Sequence, residues 1–265
     1  MLGLGNSLVN SIISTTPQPS YGAVQFAGEN EYIDLGETHQ AVFRGSWTIS
    51  FWINLDDSTP GTHQCMVGHK EDAGNQWQAM LLSINKWYFY TYMSSAFLNN
   101  IMPNTGFSGD EATGWLHVVV KMTNNGGTNN SEKEMYINGN SIGKVNTDGT
   151  GTPITGDEQA DYTTTESLFI GGYNNLGSIT NAIAGKMTHF AIWDEVLDDP
   201  AITEIFGDDR ERSLTGDFGN YDYSARLVRY FKFDVVNGDI VKDEVDDEYE
   251  EAVLVNGAEH VEFIS

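Results

Sequence analysis

The stretch that decides the fold is SLFIGGYNNLGSITNAIAGKMTHFAIWDEVLDDPAITEIF, residues 167–206. A short apolar strand ends in a glycine pair, a polar loop follows, and a longer alternating strand ends in Ile-Trp-Asp. Beyond it, Asp198 or Asp199 can cap a helix, the next residue is a proline, and Gly207 can end the helix in the left-handed conformation. The stretch therefore predicts two strands joined by a loop, and then one short helix over about residues 199–206.

Alternation of apolar and polar residues marks a further strand over residues 47–55. Its odd positions are all apolar and its even positions are partly polar, as expected when one face of a sheet packs on a core. The pair Asn138-Gly139 predicts a tight hairpin turn between two such strands. Together these patterns indicate an all-β chain with short connections.

The closing stretch resembles the last strands of laminin-G-like, pentraxin-like and legume-lectin-like jelly rolls, collectively the concanavalin A-like fold. Earlier segments resemble the opening strands of that family in the same order. They are FAG at 26–28, YIDL at 32–35, WTISFWI at 47–53, WLHVVV at 115–120 and MYING at 135–139. The resemblance covers roughly residues 23–207 and implies an all-β, two-sheet antiparallel jelly-roll sandwich with one short helix.

The C-terminal part departs from the usual order of the family. Residues 227–234 (LVRYFKFD), Asp243 and residues 254–258 (LVNGA) resemble a segment that commonly opens such domains in bacterial and viral proteins. We expect it to return and pair with N-terminal strands, so that strands within 225–265 complete a domain spanning 21–265. The alternative is a truncated second domain, which about 40 residues could hardly stabilise alone.

Composition excludes several classes of partner. The 265 residues carry a formal net charge of −25, which argues against affinity for nucleic acid or for an anionic membrane. No apolar run approaches the roughly 18 residues of a membrane span, so we expect no membrane insertion. We also expect no intrachain disulfide, because Cys65 is the single cysteine.

Residues 1–20 form a segment of different character. The segment makes a poor secretory signal, because it contains no Lys or Arg. Pro17 and Pro19 favour an extended arm or linker instead. The opening MLGLGNSL resembles the start of structural proteins of tailed bacteriophages. That resemblance implies that the arm contacts other virion proteins.

The resemblance to calcium-dependent members of the fold implies a candidate Ca²⁺ site. Two loops would supply its oxygen ligands, which are Asp72, Asn75, Asn174 and Asn175. The second loop carries amides where pentraxins carry acids, and a lower ligand charge predicts weak affinity. The alternative is that Asn and Gly serve tight turns in both loops.

A candidate carbohydrate-binding surface consists of aromatic residues on or next to these loops, because sugars stack their C–H faces on aromatic rings. The residues are Trp77, Tyr88, Tyr90, Tyr92 and Tyr173. The alternative is that these rings fill the sandwich or a contact between subunits.

The sequence contains no convincing catalytic constellation, and we predict that the protein is not an enzyme. Glu244, Asp246 and Glu248 have the E-x-D-x-E spacing of jelly-roll glycoside hydrolases, but they lie in an acid-rich run that favours a solvated loop. His117 and His189 fall within strands, where packing is the expected role. Cys65 has no basic neighbours that would activate its thiol.

These observations predict a non-enzymatic structural protein of a tailed-bacteriophage virion, either a fibre or tail adhesion module or a capsid decoration protein. It would be assembled in the bacterial cytoplasm, form a homo-oligomer and bind host-surface glycans. The alternative is a stand-alone carbohydrate-binding lectin that is secreted or lies on the cell surface. A glycoside hydrolase is the third hypothesis, supported by the acidic triplet alone.

Overall fold

The computed structural model describes residues 20–37, 39–57, 62–69, 77–83, 86–93, 96–101, 114–145, 155–175, 177–208, 210–234, 236–237, 239–246 and 252–264. Within 77–101 the only side chain it describes is that of Trp87.

Antiparallel strands make up most of the described chain. In order they are β1 Ser20–Ala27, β2 Tyr32–Asp34, β3 Trp47–Leu55, β4 Gln64–His69, β5 Trp77–Ser83, β6 Lys86–Met93, β7 Ala96–Ile101, β8 Leu116–Thr123, β9 Glu132–Ile137, β10 Asn140–Val145, β11 Phe169–Ile170, β12 Tyr173–Asn175, β13 Ser178–Thr180, β14 Ala184–Trp193, β15 Leu227–Phe231, β16 Val236–Asn237, β17 Ile240–Val241, β18 Ala252–Val255 and β19 Glu259–Ile264. The described helices are α1 Gln40–Phe43, α2 Gly156–Ala160 and α3 Asp199–Gly207, with a 3₁₀ turn at Ser224–Arg226.

The strands form two large sheets and one small hairpin. The first sheet has the order β10-β9-β8-β3-β14-β1-β19, with β15 also paired to β14. The second sheet has the order β16-β17-β18-β2-β11-β4-β5-β6-β7, and β12 pairs with β13 as a separate hairpin. This arrangement confirms the predicted all-β jelly-roll sandwich.

The main hydrophobic core draws side chains from both sheets. The odd positions of β3 contribute to it, as their alternation predicts. Other large members are Phe26, Trp87, Val118, Phe190 and Phe231. The core therefore consists of one face of each sheet.

A second apolar cluster covers the outer face of the first sheet. Helix α3 and the chain after it bring Ile202, Leu214 and Tyr221 onto Trp193 and its neighbours. As a result, Thr48, Ser50 and Trp52 of β3 are buried as well, and Asn54 is half-buried. Thr48 Oγ1 donates to the Glu195 carbonyl at 2.8 Å. The partly polar face predicted for β3 is thus covered by the helix.

Helix α3 begins as its sequence predicts and ends differently. The Asp198 carboxylate accepts a hydrogen bond from the Ala201 N–H at 2.8 Å, which is a standard N-cap. The expected left-handed Gly207 is wrong, because the helix includes Gly207 and Asp208 follows in the right-handed region. The chain takes a positive φ of 71° at Arg210 instead. Two single-turn helices, α1 and α2, were not predicted.

The C-terminal segment contributes strands to both sheets. Strand β19 pairs with β1 and strand β18 pairs with β2. Asp234 Oδ1 accepts the Gly22 N–H at 2.8 Å, and a Cβ added to Gly22 would lie 1.9 Å from the Phe233 carbonyl oxygen. Only glycine permits this close approach. Residues 1–19 lie outside the described chain, so the arm and the domain boundary stay predictions.

A buried carboxylate anchors this segment. Asp243 has no exposed surface, and it accepts hydrogen bonds from the N–H groups of Tyr230 and Val245, both at 3.0 Å. It also pairs with Arg229 at 3.0 Å, and Arg229 contacts Glu37 at 2.6 Å. The network joins β15 and the chain that follows β17 to the chain that follows β2.

We expect Asp243→Asn to lower the free energy of unfolding by roughly 3 kcal/mol, because it leaves the buried Arg229 without this charge partner. Urea denaturation followed by circular dichroism measures the change. The exposed Asp222→Asn is the matched control and should change stability by less than about 0.5 kcal/mol. Equal stabilities of the two variants would contradict the anchoring role.

Candidate functional site

A solvent-open cleft of about 560 Å³ lies between the β12–β13 hairpin and strands of the second sheet. We call it the hairpin cleft. The lining residues that matter most to its chemistry are Tyr32, Asp34, Glu166, Phe169, Asn174 and Asn256.

The alternation of strand β2 places two polar side chains in this cleft. Ile33 is buried in the main core, so its neighbours Tyr32 and Asp34 lie on the opposite face of the sheet. Phe169 of β11 is the direct partner of Asp34. Its ring packs edge-on against Tyr32, with ring centroids 5.3 Å apart and an interplanar angle of 80°. The cleft therefore contains an aromatic pair beside a carboxylate.

Asn174 holds the hairpin against the preceding segment. Its Oδ1 accepts the Gly177 N–H at 2.8 Å, and its Nδ2 donates to the Glu166 carboxylate at 2.5 Å. Because a backbone N–H requires an oxygen acceptor, the Gly177 contact determines the orientation of the amide. Glu166 and the hairpin form one side of the cleft.

The C-terminal segment supplies another part of the lining. Asn256 and Gly257 form the tight turn between β18 and β19, with φ values of 58° and 102°. The Asn256 side chain donates from Nδ2 to the Asn30 carbonyl at 3.2 Å. This contact joins the turn to the chain between β1 and β2.

The charges of the hairpin cleft have one sign. Asp34 and Glu166 are its acidic residues, and no Lys, Arg or His is among the described residues that line it. Burial, together with the nearby Asp34 charge, raises the pKa of Tyr32. The Tyr32 hydroxyl is therefore a hydrogen-bond donor at neutral pH.

The predicted calcium ligands are only partly described. Asp72 and Asn75 lie outside the described residues. Asn174 lines the cleft, whereas Asn175, the next residue of β12, lies on the other face of the hairpin. The Asn174 oxygen accepts the Gly177 N–H, and binding of Ca²⁺ by the two loops stays a prediction. The described residues also contain no group of three His, Cys, Asp or Glu that could hold a metal.

The predicted sugar-binding aromatic residues also have a mixed outcome. Trp77 of β5 pairs with Tyr92 of β6, and β6 also contains Tyr88 and Tyr90. The side chains of these four residues lie outside the described part of the chain. Tyr173 lies on the face of the hairpin opposite to Asn174, where its hydroxyl oxygen accepts from Asn181 Nδ2 at 3.2 Å. Whether these residues bind sugars stays a prediction.

Sequence reasoning missed most of the cleft. Tyr32, Asp34, Glu166 and Asn256 were not among the predicted site residues. A partial signal was present, because the alternation of YIDL at 32–35 puts Tyr32 and Asp34 on one face. The position of Glu166 relative to them depends on a strand pairing that is distant in sequence.

The acidic triplet does not line the hairpin cleft. The Glu244 carboxylate lies 3.5 Å from Lys242 Nζ, Asp246 is exposed, and Glu248 lies outside the described residues. Cys65 is a buried free thiol, and burial raises its pKa. The thiol is therefore protonated, as expected for a structural cysteine.

His117 and His189 are packing residues. His117 stacks on Trp52 with ring centroids 5.0 Å apart, and its Nε2 lies 2.8 Å from Ser50 Oγ. His189 Nδ1 lies 3.0 Å from Thr188 Oγ1. Burial, with a smaller contribution from nearby positive charge, lowers the pKa of each histidine to about 3. Both rings are neutral and enclosed at neutral pH.

The two-sheet jelly roll with this polar cleft defines a lectin-like class of domain. Residues 27–203 match the Concanavalin A-like lectin/glucanases superfamily, and the chain belongs to that superfamily. This confirms the resemblance to laminin-G-like and related jelly rolls. A search of curated proteins found no match. None of the described helices is long and apolar enough to cross a membrane.

Solved structures share the fold at low sequence identity. A Bacteroides ovatus protein provisionally assigned as a carbohydrate binding protein aligns with 92% of this chain at 14% identity and a TM-score of 0.57. This chain spans 60% of that protein. The CBM40 of Ruminococcus gnavus IT-sialidase, bound to α2,3 sialyllactose, aligns with 71% of this chain and 98% of its own, at 12% identity and a TM-score of 0.51.

A leech intramolecular trans-sialidase aligns with 72% of this chain and 28% of its own length, at 14% identity and a TM-score of 0.53. At these identities the likeness shows the fold alone. The resemblance of the N-terminus to bacteriophage structural proteins stays a prediction.

The calcium hypothesis predicts a rise in unfolding temperature with Ca²⁺, because an ion that binds the folded state stabilises it by mass action. With so few formal charges among the ligands, affinity on the order of 10⁻⁴ to 10⁻³ M is expected. Asp72→Ala should abolish most of the shift. Calorimetry in millimolar CaCl₂ measures it, and equal unfolding temperatures in CaCl₂ and EGTA would contradict the hypothesis.

The buried histidines predict a loss of stability with acidification. In the unfolded chain they protonate near pH 6.5, whereas the folded chain keeps both neutral to about pH 3. As the pH falls through 6.5 the unfolded state binds more protons, so the free energy of unfolding falls, and the slope approaches about 1.4 kcal/mol per pH unit for each histidine near pH 5. Urea denaturation between pH 7 and pH 5 measures this slope.

The slope reports how many protons the chain takes up when it unfolds. We expect His117→Gln to reduce that number by about one, and the double variant with His189→Gln to reduce it by about two. The slope is informative even if the substitutions lower stability at every pH. An unchanged slope in both variants would contradict the assignment.

Proposed function

We propose that the protein is a non-enzymatic carbohydrate-binding module that holds glycans in the hairpin cleft. The observation that carries this proposal is the combination of two carboxylates, three side-chain amides and an aromatic pair around one open cleft. Sugar hydroxyls need both acceptors and donors, which carboxylates and amides provide. The apolar faces of a sugar ring suit an aromatic surface.

Similarity to carbohydrate-binding structures supports the proposal at the level of the fold. Asp34 Oδ1 accepts the Gly36 N–H at 2.9 Å, and Glu166 accepts from Asn174, so one oxygen of each carboxylate holds the lining in place.

Removing the aromatic contact tests the proposal. We expect Tyr32→Ala to weaken glycan binding about tenfold or more, because it removes a hydroxyl donor and a ring contact together. A glycan array identifies the ligands, and isothermal titration calorimetry compares the variants. Tyr223→Ala, at a half-buried tyrosine outside the cleft, should bind as the natural chain does.

Circular dichroism confirms that both variants are folded. Binding that survives Tyr32→Ala would contradict the location of the site. Turnover of a bound glycan that is lost in Glu244→Gln would contradict the non-enzymatic assignment and support the glycoside hydrolase hypothesis instead.

A role as a virion protein is the second candidate, and the resemblance of MLGLGNSL to tailed-bacteriophage structural proteins favours it. In that setting the arm would dock onto neighbouring subunits and the cleft would face host glycans. The protein should then be present in purified particles, and deletion of residues 1–20 should impair its incorporation. Normal incorporation without the arm would contradict the docking role.

A further inference from the structure

We infer that the hairpin cleft ranks glycans by charge, binding sugars with a protonated amino group best, neutral sugars less well and anionic sugars least. This inference rests on the proposed function, because it specifies the ligand class of the same cleft. The ranking does not follow from the fold, because a structure with the same fold is bound to sialyllactose, which is an anionic sugar.

Each cleft carboxylate keeps one oxygen for a ligand. Asp34 uses Oδ1 to accept the Gly36 N–H, and Glu166 uses Oε2 to accept the Asn174 side chain. Among the described residues, Asp34 Oδ2 and Glu166 Oε1 accept no hydrogen bond and neither carboxylate forms an ion pair. Both side chains are half-buried. Two carboxylate oxygens therefore remain as acceptors in the lining of the cleft.

The acidic sign of the described lining determines the ranking. An ammonium group can donate charge-assisted hydrogen bonds to these carboxylates, which are roughly twice as strong as bonds from a neutral hydroxyl. An anionic sugar would bring a third negative charge to the cleft, and no Lys, Arg or His of the described lining would offset it. The formal net charge of −25 adds to this repulsion.

The neutral contacts explain why uncharged sugars still bind. Asn256, Asn174 and the Tyr32 hydroxyl lie around the same space. These groups bind hydroxyls without regard to the charge of the ligand. Neutral glycans should therefore occupy the middle of the ranking.

The test uses probes that differ in charge on a common backbone. Calorimetry compares glucosamine oligomers with N-acetylglucosamine oligomers, and lactose with 3′-sialyllactose. At low salt we expect the amine form to bind roughly fivefold or more tightly than the acetylated form, and sialyllactose to bind more weakly than lactose. The advantage of the amine should shrink in 0.5 M NaCl, because salt screens exposed charges.

A charge-neutralising variant separates charge from shape. Asp34→Asn combined with Glu166→Gln keeps an oxygen for each of the existing hydrogen bonds. We expect this pair to abolish the preference for the amine over the acetylated form, because it removes both charges from the cleft. The control is Asp222→Asn with Glu211→Gln, which removes the same charge at exposed residues outside the cleft and should keep the preference.

The outcomes distinguish the inference from the proposed function. Equal or tighter binding of the acetylated or sialylated probe, lost in Tyr32→Ala, would overturn the ranking and leave carbohydrate binding intact. Binding of no probe, or binding unaffected by Tyr32→Ala, would overturn both.

Discussion

The docking of the C-terminal segment onto the N-terminal strands is the constraint on which the rest of the structure depends. Asp243 stabilises it, since this buried carboxylate accepts two backbone N–H groups and pairs with Arg229. Strands β18 and β19 then close both sheets beside β2 and β1. The turn between these two strands contains Asn256, which lines the hairpin cleft. The candidate site is therefore complete only when the last strands are paired.

The outer face of the first sheet is partly covered, whereas the hairpin cleft opens on the second sheet. Helix α3 and the chain after it bury the outer face of β3 and β14. Arg210 adds to this cover, with its guanidinium 4.6 Å from the Trp52 ring centroid and 5.3 Å from that of Trp115. A ligand could reach this face only by displacing the helix. The hairpin cleft, by contrast, is open on the second sheet.

Local sequence patterns predicted the parts of the fold that depend on neighbouring residues. The alternation in β3, the Asn138-Gly139 turn and the Asp198 cap all concern contacts within a few residues. The prediction for the end of α3 is wrong because Gly207 stays in the helix and Asp208 follows in the right-handed region. The capping box of α2, formed by Thr155 and Glu158, is also a local pattern, although α2 was not predicted.

The candidate site was predicted less well for a physical reason. Asn174 was identified from a resemblance, but the cleft forms only when β2, β11 and the turn after β18 become neighbours. Those pairings join residues that are far apart in sequence, so a pattern among neighbouring residues does not predict them. Charge selectivity could be inferred only once Asp34 and Glu166 were found around one cavity.

The most direct test of the account is an NMR titration of the ¹⁵N-labelled protein with glucosamine oligomers. The account predicts that amide shifts change first at the hairpin cleft, around Tyr32, Asn174 and Asn256. Shifts confined to strands β5 and β6 or to helix α3, with the cleft unaffected, would contradict it.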